Sequence, residues 1–367
     1  MNIEEFPPEL PRAGRTPRYY VLKGKEALLQ LCEQEVAFVW AEAEARISDN
    51  LWANLTHPID PAHLGSARDE LMREERLARV DEPTRGGRGI HVYRPADIGG
   101  RQREFDDLAA RKRLLQTRFL SWASGTRSTE GIVGRAAERV VHHSLQAVSG
   151  HFGFKFTNPE GGQAAVVLET AVPAGPLDNA GEAWLGDPAA RHMFLFEVKS
   201  LRNHIYPKTG ELYQLLYKAS VIQREHPDSA VVPVLICRRA NYTTFRMAKQ
   251  LGFLVLATRA QWLLRHSRVT EDRVQEVRKE LYFLDLSLAP DTYRSAYVEN
   301  LFVKVLPVQA PSTAATWKQH APSLEDLFEA MWKAHHDHQR TNLLLRIKRR
   351  VAGVDEDDDS QYPELGW

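Results

Sequence analysis

Glu197 and Lys199 stand two residues apart in the otherwise apolar segment MFLFEVKS (193–200). Successive side chains of a β-strand point to opposite faces, so this spacing places the carboxylate and the ammonium on the same face. Burying both charges is costly unless they pair with each other or bind a metal ion. The segment therefore indicates either a site with a chemical role or an ordinary Glu–Lys pair that faces water on an edge strand.

Carboxylates on two other segments are expected near this pair. Asp178 begins a predicted strand, and a turn containing Gly, Asp and Pro joins that strand to the one with Glu197. Glu138 lies on a predicted amphipathic helix further upstream. Asp187 is a rival for Asp178, but it stands in the Gly-Asp-Pro turn, where Asp is favoured for conformational reasons. Three carboxylates and a lysine are thus expected to meet at one sheet edge.

This order of residues resembles the PD-(D/E)xK superfamily of restriction-endonuclease-like nucleases over about residues 129–260. The family core has a helix with Glu, a strand with Asp, a strand with Glu-x-Lys, a helix and a further strand. The resemblance implies that Asp178 and Glu197 bind Mg²⁺, and that Glu138 reaches the ion directly or through water. It also implies that Lys199 orients the attacking water and offsets charge on the phosphate.

Gln214, on the helix after the Glu197 strand, resembles a glutamine that some branches of this family carry. Those branches have a tyrosine four residues later, where this sequence has Lys218.

The expected chemistry is metal-assisted hydrolysis of a phosphodiester. Mg²⁺ prefers hard oxygen ligands and keeps several waters, so two or three carboxylates suffice to hold it against a phosphate. The ion stabilises charge on the phosphate and lowers the pKa of a bound water, while a lysine adds fixed positive charge. Mg²⁺ is therefore the expected cofactor, and Mn²⁺ is expected to substitute for it.

Upstream, residues 20–97 resemble a winged helix-turn-helix domain, in which one helix enters the major groove and a Gly/Arg-rich hairpin reaches the flanking backbone. Arginine supplies planar donors for phosphates or guanine edges, and glycine lets a hairpin approach closely. The alternative is a helical packing module whose glycine-rich turn only links two strands. The expected DNA-binding residues are Arg68, Arg73 and Arg76 on the helix and Arg85, Arg88 and Arg94 in the hairpin.

Composition agrees with a folded chain of more than one domain. The 367 residues carry 48 Lys+Arg and 48 Asp+Glu, 43% of them are hydrophobic, and two cysteines exclude a disulfide framework. With neither a signal-peptide pattern nor an apolar run long enough for a bilayer, we expect a soluble, cytoplasmic protein without membrane contact. The expected segments are a leader (1–18), a winged-helix-like domain (19–98), a helical linker (99–128), a nuclease-like domain (129–262), a C-terminal helical and strand extension (263–350) and an acidic tail (351–367).

The fold class expected is α/β, with a restriction-endonuclease-like core in which helices flank a mixed sheet. The apolar periodicity predicts helices over 23–47, 61–80, 101–124 and 131–148 and at GELYQLLYKASVIQREH (210–226). It predicts strands at GIHVYRP (89–95), AAVVLETAV (164–172), MFLFEVKS (193–200), AVVPVLICRR (230–239) and GFLVLAT (252–258), with a further possible strand at NLFVKVLPV (300–308).

These expectations lead to a Mg²⁺-dependent endonuclease that binds duplex DNA through the winged helix. By analogy, such architectures recur in restriction and other defence systems. One alternative is a non-catalytic DNA-binding or regulatory protein on a nuclease-like scaffold, and another is a nuclease for RNA or branched DNA. Cutting both strands of a duplex usually requires two active sites, which would favour a homodimer.

Overall fold

A computed structural model gives the three-dimensional structure of the chain. It describes residues 16–354 apart from 53–54, 56, 83–88, 124–131, 159–161, 186–190, 201 and 267–268. The chain folds into two compact units. One contains the described residues up to Val133 together with Trp262–Leu288, and the other contains Gly134–Gln261 and the described residues from Ala289 onward.

The described chain contains both helices and strands along most of its length. In chain order the helices are α1 Pro17–Glu35, α2 Trp40–Ala43, α3 Pro61–Arg73, α4 Gln102–Ala123, α5 Ile132–Val148, α6 Gly210–Glu225, α7 Tyr242–Leu251, α8 Glu271–Glu280, α9 Ala296–Lys304, α10 Leu306–Lys333 and α11 Asp337–Ala352. The strands are β1 Phe38–Val39, β2 Leu77–Glu82, β3 Ile90–Pro95, β4 Lys155–Phe156, β5 Val166–Val167, β6 Thr170–Ala171, β7 Asn179–Trp184, β8 Arg191–Lys199, β9 Ala230–Cys237, β10 Leu254–Ala257, β11 Gln261–Leu263 and β12 Leu286–Leu288. None of the helices in the described ranges has the length and apolar composition of a membrane span.

In the first unit, α1 is shorter than the helix expected over 23–47. It ends at Glu35 because Val36 adopts a positive φ of 58°. The next residues form β1, where Phe38 pairs with Tyr93 and Val39 with Val92 of β3. A helical conformation resumes in α2 and continues as a π-helical turn. The expectation of one continuous helix was wrong because buried aromatic and β-branched residues joined the sheet instead.

Helix α3 also ends earlier than its apolar pattern indicated. Asp60 caps its start by accepting a hydrogen bond from the Ala62 amide at 2.8 Å, as Asp commonly does at this position. The helix ends at Arg73, and Glu75 then takes a positive φ of 54°. Residues expected to extend the helix to 80 instead form β2, which pairs antiparallel with β3. The strand expected at 89–95 is confirmed as β3, and the long helix after it as α4.

The second unit contains a five-stranded mixed sheet flanked by helices, which confirms the α/β class. Its strand order is β10-β9-β8-β7-β4. Strand β7 pairs antiparallel with both β4 and β8, whereas β8, β9 and β10 are mutually parallel. Helix α6 connects β8 to β9, as a parallel crossover requires. The strands expected at 193–200, 230–239 and 252–258 are confirmed as β8, β9 and β10.

Apolar side chains of α6 and α10 cover one face of this sheet. Leu212, Leu216 and Ala219 of α6 and Trp317 of α10 are fully buried in the same core cluster as Leu195 of β8. Phe194 and Phe196 of β8 pack against each other, and Phe196 also packs against Phe154 and against Phe302 of α9. The sheet is therefore fixed rigidly by packed helices, which is the support that a precise site needs.

Two expected strands have a different structure. Residues 164–172 do not form one continuous strand. They contain the short antiparallel hairpin β5–β6, because Leu168 and Glu169 both adopt positive φ and reverse the chain. The possible strand at 300–308 lies in α9 and α10. The buried residues Val298, Phe302 and Leu306 recur every four positions there, a helical spacing.

Candidate active site

Strand β8 presents Glu197 and Lys199 to side chains of α6. Lys199 contacts Gln214, and Glu197 contacts Lys218. The strand lies between β7 and β9, so it is an interior strand of the sheet. Glu197 is only 3% exposed. These observations exclude a water-facing pair on an edge strand.

Both oxygens of the Glu197 carboxylate accept hydrogen bonds from lysines. The Lys199 Nζ donates to Oε1 at 2.6 Å, and the Lys218 Nζ donates to Oε2 at 3.0 Å. Lys218 also donates to the carbonyl of Pro176 at 2.6 Å. The charge of a buried carboxylate is thus matched by two ammonium groups, as burial in an apolar interior requires.

Asp178 immediately precedes β7 and lies beside the Glu-x-Lys segment. Its Oδ2 accepts a hydrogen bond from the backbone N–H of Val198 at 2.6 Å, between the two charged residues of β8. Burial, followed by the negative charges of Glu197 and Glu138, raises the pKa of Asp178 to about 7, against the lowering effects of the Val198 bond and Lys199. Asp178 therefore shares one electrostatic environment with the other predicted site residues.

Glu138 reaches the same environment from α5. Burial raises its pKa above the ordinary value, and the charge of Glu197 acts in the same direction, while Lys199 and Arg135 lower it. The helix that carries Glu138 is joined to β7 one turn later, where His142 Nδ1 lies 2.7 Å from the Asn179 Oδ1. Glu138 therefore interacts electrostatically with Asp178, Glu197 and Lys199 from a third segment.

Gln214 joins the cluster through α6. Its Oε1 accepts a hydrogen bond from Lys199 Nζ at 3.2 Å, and its Nε2 donates to the carbonyl of Ala174 at 3.0 Å. Ala174 and Gly175 have positive φ values of 59° and 91°. Gln214 therefore connects the ammonium group of Lys199 to the strained turn that leads to Asp178.

The chemistry of this donor set fits a hard divalent cation, since carboxylate oxygens are the ligands that Mg²⁺ prefers. Burial and, after it, the negative charges of Glu197 and Glu138 raise the pKa of Asp178, and a bound cation would offset those charges. Among the described residues, however, no group of three or more His, Cys, Asp or Glu side chains is arranged to hold a metal ion. Both oxygens of Glu197 are instead contacted by lysines.

Sequence reasoning had given no function to Lys218, or to the His142–Asn179 pair. A signal for Lys218 was present, because it interrupts a stripe of buried Leu and Ala side chains on α6. A single ionisable residue within such a stripe indicates a specific buried partner. Asn179 and His142 offered no comparable signal, since their contact depends on how α5 packs against β7. The rival residue Asp187 lies outside the described residues.

The arginines expected to bind DNA differ in their exposure and in the contacts they make. Arg73 and Arg76 are exposed at and just after the end of α3. Arg68 instead pairs with Asp69 at 2.7 Å and stacks over Trp40, with its guanidinium carbon 4.6 Å from the ring centre. Arg94 of the hairpin donates to the backbone carbonyls of Pro95 and Ala96 at 2.8 Å each. Arg85 and Arg88 lie outside the described residues.

Acidic residues of α3 are neutralised within the first unit. Glu70 forms ion pairs with Arg18 and with Lys25 of α1, the second at 3.4 Å, and Glu74 also pairs with Lys25. Glu70 and Glu74 are therefore occupied by basic residues of α1.

No protein-family model, curated protein or solved structure significantly matches the chain. Its function therefore has to be argued from the site.

Proposed function

We propose that this chain is a metal-dependent endonuclease that hydrolyses phosphodiester bonds in duplex DNA. The observation that carries the proposal is the placement of Asp178 beside the Glu197–Lys199 pair, where its carboxylate accepts a hydrogen bond from the Val198 N–H. Glu138 acts electrostatically on the same carboxylate from α5. Burial raises the pKa of Asp178 and of Glu138, and carboxylates perturbed in this way beside a lysine are characteristic of sites with a chemical role.

The order of elements in the second unit supports the proposal. Helix α5 carries Glu138, the segment entering β7 carries Asp178, β8 carries the Glu-x-Lys sequence, and α6 and β9 follow. This is the order of the PD-(D/E)xK core described above. The antiparallel pairing of β7 with β8 also brings the Asp178 position beside Glu197.

Asp178 and Glu197 would hold the Mg²⁺ ion, with Glu138 directly or through water, and the ion would supply charge stabilisation at the phosphate and a more acidic bound water. Lys199 has two roles in this proposal. Its side chain is 19% exposed and contacts Glu197 Oε1, so its release from Glu197 would free that oxygen for the cation. The released ammonium would then place fixed positive charge beside the reacting phosphate.

Features of the first unit support DNA as the substrate class. Helix α3 is followed by the β2–β3 hairpin, the arrangement that the winged-helix resemblance implies. Arg73 and Arg76 are exposed near the end of this helix, where they can reach phosphates without first breaking a buried contact. Phosphate contacts of this kind position a duplex, while base contacts specify its sequence.

A non-catalytic DNA-binding protein is the second candidate function, and one observation favours it. Lys199 and Lys218 already neutralise Glu197, an arrangement that could stabilise a scaffold in which no cation binds. The two candidates differ in whether cleavage depends on a divalent metal.

A cleavage assay separates these candidates. Supercoiled plasmid, linear duplex, single-stranded DNA and RNA are incubated with the full chain and Mg²⁺, Mn²⁺ or EDTA, and DNA binding is measured by a mobility shift. The proposal expects metal-dependent cleavage of duplex DNA that Lys199→Met and Glu197→Gln abolish without loss of binding. Lys249→Met, at an exposed position of α7, is the matched control and should cleave normally.

Three results would contradict the proposal in different ways. Binding without cleavage under any metal condition would favour the non-catalytic protein. Cleavage confined to RNA or branched DNA would change the substrate class. Cleavage that persists in Lys199→Met would place the reaction elsewhere in the chain.

A further inference from the structure

Lys218 is a fully buried lysine whose charge is not required for packing. Its side chain is 0% exposed, and the neighbouring side chains of Leu215, Leu216 and Ala219 on α6 are buried and apolar. An aliphatic residue would fill such a position at a lower cost of desolvation. The ammonium group must therefore be retained for its two partners, Glu197 Oε2 and the carbonyl of Pro176.

Lys199 and Lys218 bind the same carboxylate but differ in their exposure to solvent. Lys199 contacts Oε1 and its side chain is 19% exposed, whereas Lys218 contacts Oε2 with no exposure. A partly exposed lysine can turn toward a substrate, but a completely enclosed one keeps its partners. When Lys199 leaves Glu197, Lys218 still fixes the position of the carboxylate.

Lys218 also holds the turn before Asp178, in parallel with Gln214. The two side chains are four residues apart, so they lie on the same face of α6. Gln214 connects Lys199 to the carbonyl of Ala174, and Lys218 connects Glu197 to the carbonyl of Pro176. Gln214 and Lys218 thus each join one charged residue of β8 to one carbonyl of the turn 174–176.

We propose, on the basis of the nuclease function above, that Lys218 is a positioning residue of the active site. Its ammonium fixes Glu197 relative to the segment that carries Asp178. Glu197 would take part in holding the metal ion while its Oε2 stays bound to Lys218. Lys218 itself does not touch the substrate.

The test replaces Lys218 with Met, which has a similar length but cannot donate a hydrogen bond. The full chain is used, folding is checked by circular dichroism, and kcat and KM for plasmid DNA are measured with Mg²⁺. Hydrogen exchange of the peptide 172–178 reports the turn directly. We expect kcat to fall on the order of 10- to 100-fold, as small displacements of catalytic groups cause, with KM changed less than about twofold. Exchange in 172–178 should become faster.

The control is again Lys249→Met, which should leave kcat and the exchange of 172–178 unchanged. A Lys218→Met protein with normal kcat, or with slow exchange retained in 172–178, would overturn the positioning role. A change confined to KM would mean that Lys218 contributes to DNA binding and would overturn it as well. If the wild-type chain cleaves no nucleic acid, the proposed function fails, and the exchange result alone then decides whether Lys218 holds the turn.

A measurement on the wild-type chain covers the case in which Lys218→Met does not fold. Nuclear magnetic resonance of ¹⁵N-labelled lysine side chains detects an ammonium group that is shielded from water exchange. We expect a protected Lys218 signal that persists when Mg²⁺ is added and in Lys199→Met. Absence of this signal, or its loss on addition of Mg²⁺, would overturn a permanent link between Lys218 and Glu197.

Discussion

Asp178→Asn should stabilise the second unit at alkaline pH in the absence of metal. At about 1.4 kcal/mol per pKa unit, the rise in the pKa of Asp178 from 3.8 to about 7 corresponds to about 4 kcal/mol. The folded state binds this proton more tightly than the unfolded state. The wild type therefore loses stability as the pH rises from about 4 to about 7. Asn does not titrate, and its amide oxygen can still accept from the Val198 N–H.

The assay must report on the second unit alone, because a chain of two compact units need not unfold in one step. Pulsed hydrogen exchange of the β8 peptide during urea unfolding in EDTA gives the free energy of unfolding of that strand. Asp178→Asn and the wild type should be equally stable near pH 4, and the variant should be more stable by up to about 4 kcal/mol at pH 8. The matched control is Asp228→Asn, a fully exposed aspartate of the same unit, for which no such trend is expected.

The same variant also tests metal binding without any measurement of activity. Mn²⁺ at about 100 times its Kd should stabilise the wild type by about 2.7 kcal/mol, and Asp178→Asn should lose most of that gain. A variant that is less stable than the wild type at pH 8, or a difference that does not change with pH, would contradict the shared carboxylate environment. Equal stabilisation of both proteins by Mn²⁺ would place the metal elsewhere.

Two further predictions concern other parts of the fold. Arg73→Glu together with Arg76→Glu should weaken duplex binding at low salt. If each arginine neutralises one phosphate, the slope of log K against log salt should fall by about 2. Fluorescence anisotropy at salt concentrations from about 50 to about 200 mM measures this slope, and an unchanged slope would refute the prediction. Gly252→Ala should destabilise the second unit by at least about 2 kcal/mol, because Gly252 has φ +82° and an added Cβ would lie 2.1 Å from the Trp317 backbone nitrogen. Urea unfolding checks this against Gly150→Ala, since a Cβ at Gly150 meets nothing within 4 Å, and equal stabilities would show that the close approach can relax.

The sequence could predict the central part of the second unit because local pattern and tertiary structure agree there. Strands β8, β9 and β10 are short apolar runs, and α6 has an amphipathic period, so each element could be identified from its own residues. The two-residue spacing of Glu197 and Lys199 likewise required only the geometry of a strand. Proximity of Asp178 and Glu138 to this pair could be expected from the order of segments and from the family resemblance, but no local pattern fixes how three separate segments meet.

Features that depend on contacts distant in sequence could not be predicted. Helix α1 ends at Glu35 because the following residues pair with β3, more than fifty residues later. Segment 262–288 belongs to the first compact unit, and Arg111 of α4 pairs with Glu280 of α8 at 2.7 Å. No linear division of the chain by composition can anticipate such a return. Lys218 was similarly unassigned because its partners, Glu197 and Pro176, are brought to it only by the packing of α6.

The energetics of the candidate cluster favour a functional origin over a structural one. Asp178, Glu197 and Glu138 carry three negative charges when ionised, and Lys199 and Lys218 supply two positive charges, so one negative charge remains without a counter-ion within this set. Well-packed apolar residues of similar volume would avoid the cost of desolvation and are often more stable than buried ion pairs. Proteins retain destabilising groups mainly where activity requires them. A bound cation would offset the remaining negative charge and would bind the carboxylate oxygens that hard divalent ions prefer.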